Sequence, residues 1–461
     1  MIDFNIYPNI MIAMLDTLIV NGSLAIPNIG IIKKNIGIKD SRISIITNDR
    51  PVADKVINAE KRYIIPGVID PHVHYGVFEP IERAAEHESR SAATGGVTCM
   101  MRMFRLYGSY KENLMKHLSV NTHIIDYAYH ASILLKEQID EMDYCRSKGI
   151  RSFKLYMNLQ KGLGKIYMDM DPYNDQIIER EVDTDKEMII NTIRNSKDDV
   201  IIVHAEDPEI CKNGINKLKS VRNDLKAWSD ARPSKSERIA IEFLKSIDDY
   251  TLYLPHIGSR EGLEAALDAK RSSRVYIETC PHYLTHTYDF DLRGKVVPPL
   301  RSKDDQVVLW NALKNDQIDC IGSDHVANRL KDKLADNTVW NALAGFPGVA
   351  TILPVMLSEG VNKNRITLEQ LVKITSYNQA RIFNLKNKGN IAIGYDADLT
   401  IIDLDKEVRV TPDILNSYSD YTIYDNMILR GWPVLTMVRG EVVMEDGMII
   451  GKAGYGKYIA R

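Results

Sequence analysis

Residues 64–80 read IIPGVIDPHVHYGVFEP, an oily run that leads straight into Asp70, His72 and His74. A strand buried on both faces excludes such groups unless they are paired or bind a metal. Further along the chain the same event recurs. Lys154 lies inside IRSFKLYM, His204 ends VIIVHAED, His256 ends the apolar part of TLYLPHIG, and Asp324 ends IDCIGSD. Polar, metal-competent residues at the ends of apolar strands point to a functional mouth at one end of a parallel sheet.

The middle of the chain supports that sheet. Short apolar strands at 64–70, 97–103, 123–131, 150–156, 199–205, 250–256, 274–280 and 318–324 alternate with amphipathic stretches. This is the pattern of βα units. A helix is expected near 133–148, stopped by Gly149. Two hydroxyl caps with Gln three residues on, at Thr367 and Ser376, predict two further helices. Eight such units predict an α/β fold, a (β/α)8 barrel whose active site sits at the C-terminal ends of the strands. Both chain ends are instead rich in short strands and turns, such as Asn21-Gly22, Lys39-Asp40-Ser41, Arg439-Gly440 and Glu445-Asp446-Gly447. They read as two parts of one flanking β-sandwich. The expected division is 1–65 for the first part of the sandwich, 66–385 for the barrel, and 386–461 for the second part and tail.

The bulk composition excludes several classes. Among 461 residues, 59 are basic and 62 acidic, a formal charge of −3. This leaves no basic face for nucleic acid and no polybasic membrane anchor. Charges interrupt every apolar run before it could span a bilayer. The start, MIDFNIYPNIMIAMLD, lacks a basic region and a cleavage site. Five scattered cysteines without a C-x-x-C pair read as reduced core residues. A cytoplasmic protein is expected.

Residues i and i+2 of a strand share a face, so His72 and His74 can both reach into a barrel mouth. Imidazole and carboxylate suit zinc and similar divalent ions. A single such histidine is more often an ordinary polar strand end; four, with an aspartate, on one barrel face are not. His87, His117, His123 and His130 read as helix or strand-start residues, and Met100, Met101 and Met103 as core. Lys154, between Phe153 and Leu155, has two open readings. It is either a structural cation paired with Asp70 or Asp324, or a desolvated amine able to add carbon dioxide and become a metal-bridging carbamate. The chemistry expected is hydrolysis by a water activated between two divalent ions, with Asp324 as general base and then acid. Asp70 could join the site or orient its ligands.

Taken in order, GVIDPHVH, GIRSFKLYM, VHAED, ETCPHYL, VVPPLR, GSDH, GFPGV and GYGKYIAR resemble the amidohydrolase superfamily. Within it they are most similar to the cyclic amidases: hydantoinases, dihydropyrimidinases, dihydroorotases and allantoinases. The resemblance implies a distorted barrel with a sandwich and two divalent ions, usually zinc. It implies that His72, His74 and Asp324 hold the first ion, that His204 and His256 hold the second, and that carboxylated Lys154 bridges them. It also implies a small cyclic amide as substrate and a homodimer or homotetramer. His282 and His325 fall beside the site as supporting residues.

Several recognition positions depart from the pattern. Gly76 stands where dihydroorotases carry a carboxylate-binding Arg, and Leu159 where hydantoinases carry an oxyanion-binding Tyr. Ala344 and Ala350 replace a polar and an acidic residue. Arg102, Arg105 and Tyr156 are the candidate substrate contacts; Arg105 facing the pocket would receive an anionic group, and a surface ion pair is its plainer reading. The leading expectation is a hydantoinase- or dihydropyrimidinase-like ring-opening hydrolase. Dihydroorotase comes next, then allantoinase. A non-catalytic oligomeric binding protein of the same fold is the alternative of another class, and the full ligand set speaks against it.

Overall fold

The computed structural model describes residues 14–160, 162, 163 and 165–461; the N-terminal stretch read above for a leader falls largely outside these. At the centre, parallel strands follow one another: β1 (Val68–His74), β2 (Val97–Phe104), β3 (Asp126–Ser132), β4 (Ser152–Tyr156), β5 (Val200–His204), β6 (Thr251–Leu254), β7 (Arg274–Thr279) and β8 (Cys320–Ile321). Each pairs in parallel with the next. Beyond β8, His325 pairs with Val73 of β1, so the segment 320–326 touches both edges and closes the barrel. The first five strands are buried along their whole length. Helices cover their outer faces and side chains fill the interior, which is why they read as continuous apolar runs.

The chain ends build two further sheets. One has four strands from residues 15–58; the other has seven, in which Tyr63–Pro66 runs antiparallel to Leu399–Arg409 with Pro66 opposite Leu399. Ile19, Ile36, Leu399 and Met437 share one apolar cluster, so residues nearly 400 positions apart pack together.

The structure corrects four local expectations. Residues 64–66 belong to the sandwich, and the first barrel strand is Val68–His74, which includes both histidines. The two strands joined by the Asn21-Gly22 turn, with Asn21 at φ +60°, do not pair with each other but enter different sheets, so the end region is not the single run of adjacent strands it reads as. The helix expected at 133–148 is a 3₁₀ turn (Lys136–Glu141) followed by a short helix (Met142–Ser147). There the Gln138 side chain accepts from the Leu134 and Leu135 amides at 2.7 and 3.1 Å, so the chain is held as a loop before it can coil. The capping box at Thr367 forms with Gln370. That at Ser376 does not, because Ser376 lies inside a wide turn (Lys373–Tyr377) and the Gln379 amide donates to the Ile321 carbonyl.

The tail GYGKYIAR runs across the bottom of the barrel, at the N-terminal ends of β3 and β4. Ile459 donates to the Tyr127 carbonyl at 2.8 Å and the Arg461 amide to the Gly149 carbonyl at 2.9 Å. Gly149 has φ +84°, and a Cβ there would lie 2.4 Å from the Ala460 Cβ. Gly149→Ala is therefore expected to destabilise the fold by about 1–3 kcal/mol, read as a lower urea midpoint with an unchanged slope.

Candidate metal centre

The mouth of the barrel is built by local irregularity. Pairing of β1 with β2 slips between Asp70 and Val73, so Pro71 and His72 sit on a bulge. Bulges re-aim side chains. Asp70 Oδ1 accepts from the His72 and Ser323 amides, both at 3.1 Å, and ties the bulge to the segment that carries Asp324. Asp70 thus supports the site from behind. Its own carboxyl is pushed up to about 7 by burial. His256 and Asp324 both adopt left-handed backbone, at φ +46° and +48°. Non-glycine residues are held there only by their surroundings, and such strain gathers at functional sites.

The resulting geometry has two halves. Asp324 Oδ1 lies 3.2 Å from His72 Nε2 and 3.4 Å from His74 Nε2. Opposite them, His204 Nδ1 is 3.0 Å from His256 Nε2. The rings of His72 and His256 are 5.3 Å apart, so the halves adjoin. Lys154 is 1% exposed, and its Nζ has no hydrogen-bond partner.

Two carboxylates that the sequence reading passed over set the ring tautomers. Glu278 Oε1 accepts from His72 Nδ1 at 2.9 Å, which leaves the Nε2 lone pair facing Asp324. Glu206 Oε2 accepts from His204 Nε2 at 2.6 Å, which leaves the Nδ1 lone pair facing His256. Arg232 holds Glu206 in turn at 2.5 Å. In the first half a bare imidazole nitrogen thus faces a carboxylate, an arrangement that a cation between them would relieve; in the second, His204 Nδ1 accepts from His256 Nε2 unless a cation takes that place. Both acids were visible as anomalies: Glu278 interrupts the apolar strand RVYIET, as Lys154 interrupts SFKLY, and Glu206 lies two residues after His204.

The electrostatics agree with a ligand role. Burial pushes His72 down to about 3 and His204 to about 4, and holds His74 and His256 well below the ordinary imidazole range. All four are neutral at pH 7, the form that binds metal. Burial also draws the Lys154 amine down to about 7. Asp324 and Glu278 are pushed upward by burial, Glu278 to about 7.

Above this floor opens a cavity of about 580 Å³. Arg105 and Tyr156 form part of its wall. Arg105 donates through Nε to the Tyr156 hydroxyl at 3.1 Å, and its Nη2 approaches His74 Nε2 at 3.4 Å. No carboxylate pairs with its guanidinium among the described residues. Arg102 is a correction: it is wholly buried, 2.8 Å from Asp169 and packed on Tyr75, and does not line the cavity. A Cβ at Gly76 would lie 2.9 Å from Arg102 Nη2, so the missing side chain at 76 makes room for this buried arginine. Leu159 and Ala344 line the cavity, whereas Ala350 does not. His325 points outward, its Nδ1 accepting from the Gly348 amide and its Nε2 lying 3.0 Å from Glu88. His282 is buried against Tyr283 and Phe346. All five cysteines are buried and free. Among the described residues no helix is long and apolar enough to cross a membrane.

The chain is similar to known proteins along nearly all its length. Residues 257–443 match the model of the amidohydrolase family. An L-hydantoinase from Paenarthrobacter aurescens is 31% identical, covering 97% of this chain and 98% of that one. A dihydroorotase from Methanosphaera stadtmanae is 31% identical over 91% and 94% of the two chains. In three dimensions, the L-hydantoinase (dihydropyrimidinase) of Arthrobacter aurescens superposes with a TM-score of 0.86, at 30% identity over 97% of this chain and 100% of that one. With 31% identity over nearly the whole of both chains and this fold, the chain belongs to the amidohydrolase family.

Proposed function

We propose that this enzyme hydrolyses a carbon–nitrogen bond of a cyclic amide or imide, on a ring such as a hydantoin or dihydropyrimidine. The observation that carries the reading is the pair of facing ligand sets, His72–His74–Asp324 and His204–His256, on the floor of one cavity with Lys154 buried beside them. Family membership implies divalent metal, and His72, His74 and Asp324 offer it ligand atoms within 4.8 Å of one another. We assign His204 and His256 to a second ion. Lys154 as a carbamate would bridge the two, since a dry amine with a pKa drawn down to about 7 has a neutral fraction able to add carbon dioxide. The chemistry of the donor set, imidazole and carboxylate, suits zinc. Such ions lower the pKa of a water and polarise a carbonyl.

The chain's own groups supply the rest. Asp324 takes a proton from the attacking water and returns it to the leaving nitrogen. Glu278 and Glu206 hold the imidazoles in their ligand tautomers. Arg105, a cation without a carboxylate partner on the cavity wall, receives an anionic substituent of the substrate, with the Tyr156 hydroxyl beside it.

The test is a ring-opening assay on hydantoin, dihydrouracil, dihydroorotate and allantoin with metal-replete protein. Turnover of at least one ring is expected; turnover of none overturns the reading. With Arg105→Ala, KM for a carboxylate-bearing ring should rise about 10- to 100-fold, the worth of a charge-assisted hydrogen bond. KM for neutral rings should hardly change. An unchanged KM for the acidic ring removes Arg105 from substrate binding.

A further inference from the structure

The tail does more than cover the bottom of the barrel. The Arg461 side chain enters the interior, where Nη2 donates to the Tyr129 carbonyl at 2.6 Å and to Ser152 Oγ at 2.7 Å. Ser152 shares its strand face with Lys154, two residues on. Ser152 Oγ is 2.5 Å from His130 Nδ1, and His130 Nε2 is 3.0 Å from the Pro71 carbonyl. The Pro71 carbonyl lies on the bulge between Asp70 and His72, where the β1–β2 pairing is interrupted.

Hydrogen-bond chemistry gives this chain one direction. A guanidinium only donates, so Ser152 Oγ must accept from it. Burial keeps His130 neutral. The Pro71 carbonyl can only accept, so the proton that meets it sits on His130 Nε2 and the bare Nδ1 accepts the Ser152 hydroxyl. The cation at the bottom of the barrel therefore fixes the hydroxyl that holds a histidine gripping the strand of His72 and His74.

We propose that Arg461 is a positioning residue of the metal centre: through Ser152 and His130 it holds the bulge at Pro71 that aims His72 and His74. This rests on the metal-centre reading above. It differs from a purely structural role for the tail, which would cost stability and leave the ligands' geometry alone. Outer partners of metal ligands typically change affinity or activity by about 10- to 100-fold, and that is the range expected here.

The experiment uses full-length protein loaded with cobalt(II), whose visible spectrum reports ligand geometry. Arg461→Ala and Ser152→Ala are each compared with wild type below the melting transition of all three. Expected are an altered cobalt spectrum, about tenfold or faster loss of cobalt to a chelator, and a lower kcat at unchanged KM. The double variant should be no worse than Ser152→Ala, because both act through one path. If Arg461→Ala does not fold, Ser152→Ala is read alone. Wild type that takes up no cobalt overturns both this proposal and the metal-centre reading. Folded variants with wild-type spectrum and cobalt retention overturn this proposal alone, even if their melting temperature falls.

Discussion

Asp324→Asn lowers kcat by about 10²- to 10⁴-fold, the contribution typical of a positioned general acid–base. The substitution keeps the size of the side chain and removes only the basic oxygen. Asp324 sits in left-handed backbone at the end of its strand, with Oδ1 between His72 and His74. Burial raises its proton affinity, which suits a group that must take a proton and then release it. Because Asp324 is also a candidate ligand, metal content is measured on the same sample. A metal-replete Asn variant with low kcat assigns the loss to proton transfer. Activity within a few-fold of wild type at equal metal content removes Asp324 from that role.

The second large effect is expected at Lys154. Lys154→Met keeps the apolar stem and deletes the amine. If the carbamate bridges two ions, this variant loses the second ion. It also loses several kcal/mol of charge stabilisation, on the order of 10³-fold or more in kcat. The plainer role, a buried cation paired with Asp324 or Asp70, predicts a different outcome. In that role the amine is no part of a ligand set, so a methionine there would leave both ions bound; Lys154 Nζ makes no hydrogen bond to either acid. Two measurements separate these outcomes: metal stoichiometry of the variant, and reactivation of metal-stripped wild type with and without bicarbonate. Reactivation that is equally fast and complete in carbon dioxide-free buffer argues against the carbamate.

The buried cations of the mouth show how far each kind of residue could be read. Lys154 announced itself because a charge inside SFKLY breaks an apolar strand. Arg102 broke its strand in the same way, inside VTCMMRMF, yet it turns from the cavity to Asp169, a residue 67 positions later in the sequence. Local pattern marks a charge as buried; it does not say which way the charge faces. Arg105 lies just past the end of the same strand and does reach the cavity wall, where Tyr156 receives it.

Alternation of apolar strands with amphipathic stretches determined the barrel, since periodicity is a local property that burial on both faces imposes along each strand. The positions of His72, His74, His204, His256 and Asp324 at or just past strand ends, and of Lys154 inside its strand, were legible for the same reason. Tertiary structure alone decided their partners. Glu278 meets His72 across 206 positions, and Arg461 reaches Ser152 across 309. Such contacts depend on which strands lie side by side and where a bulge shifts their register. No window of sequence contains that information, because it arises only when the sheet closes.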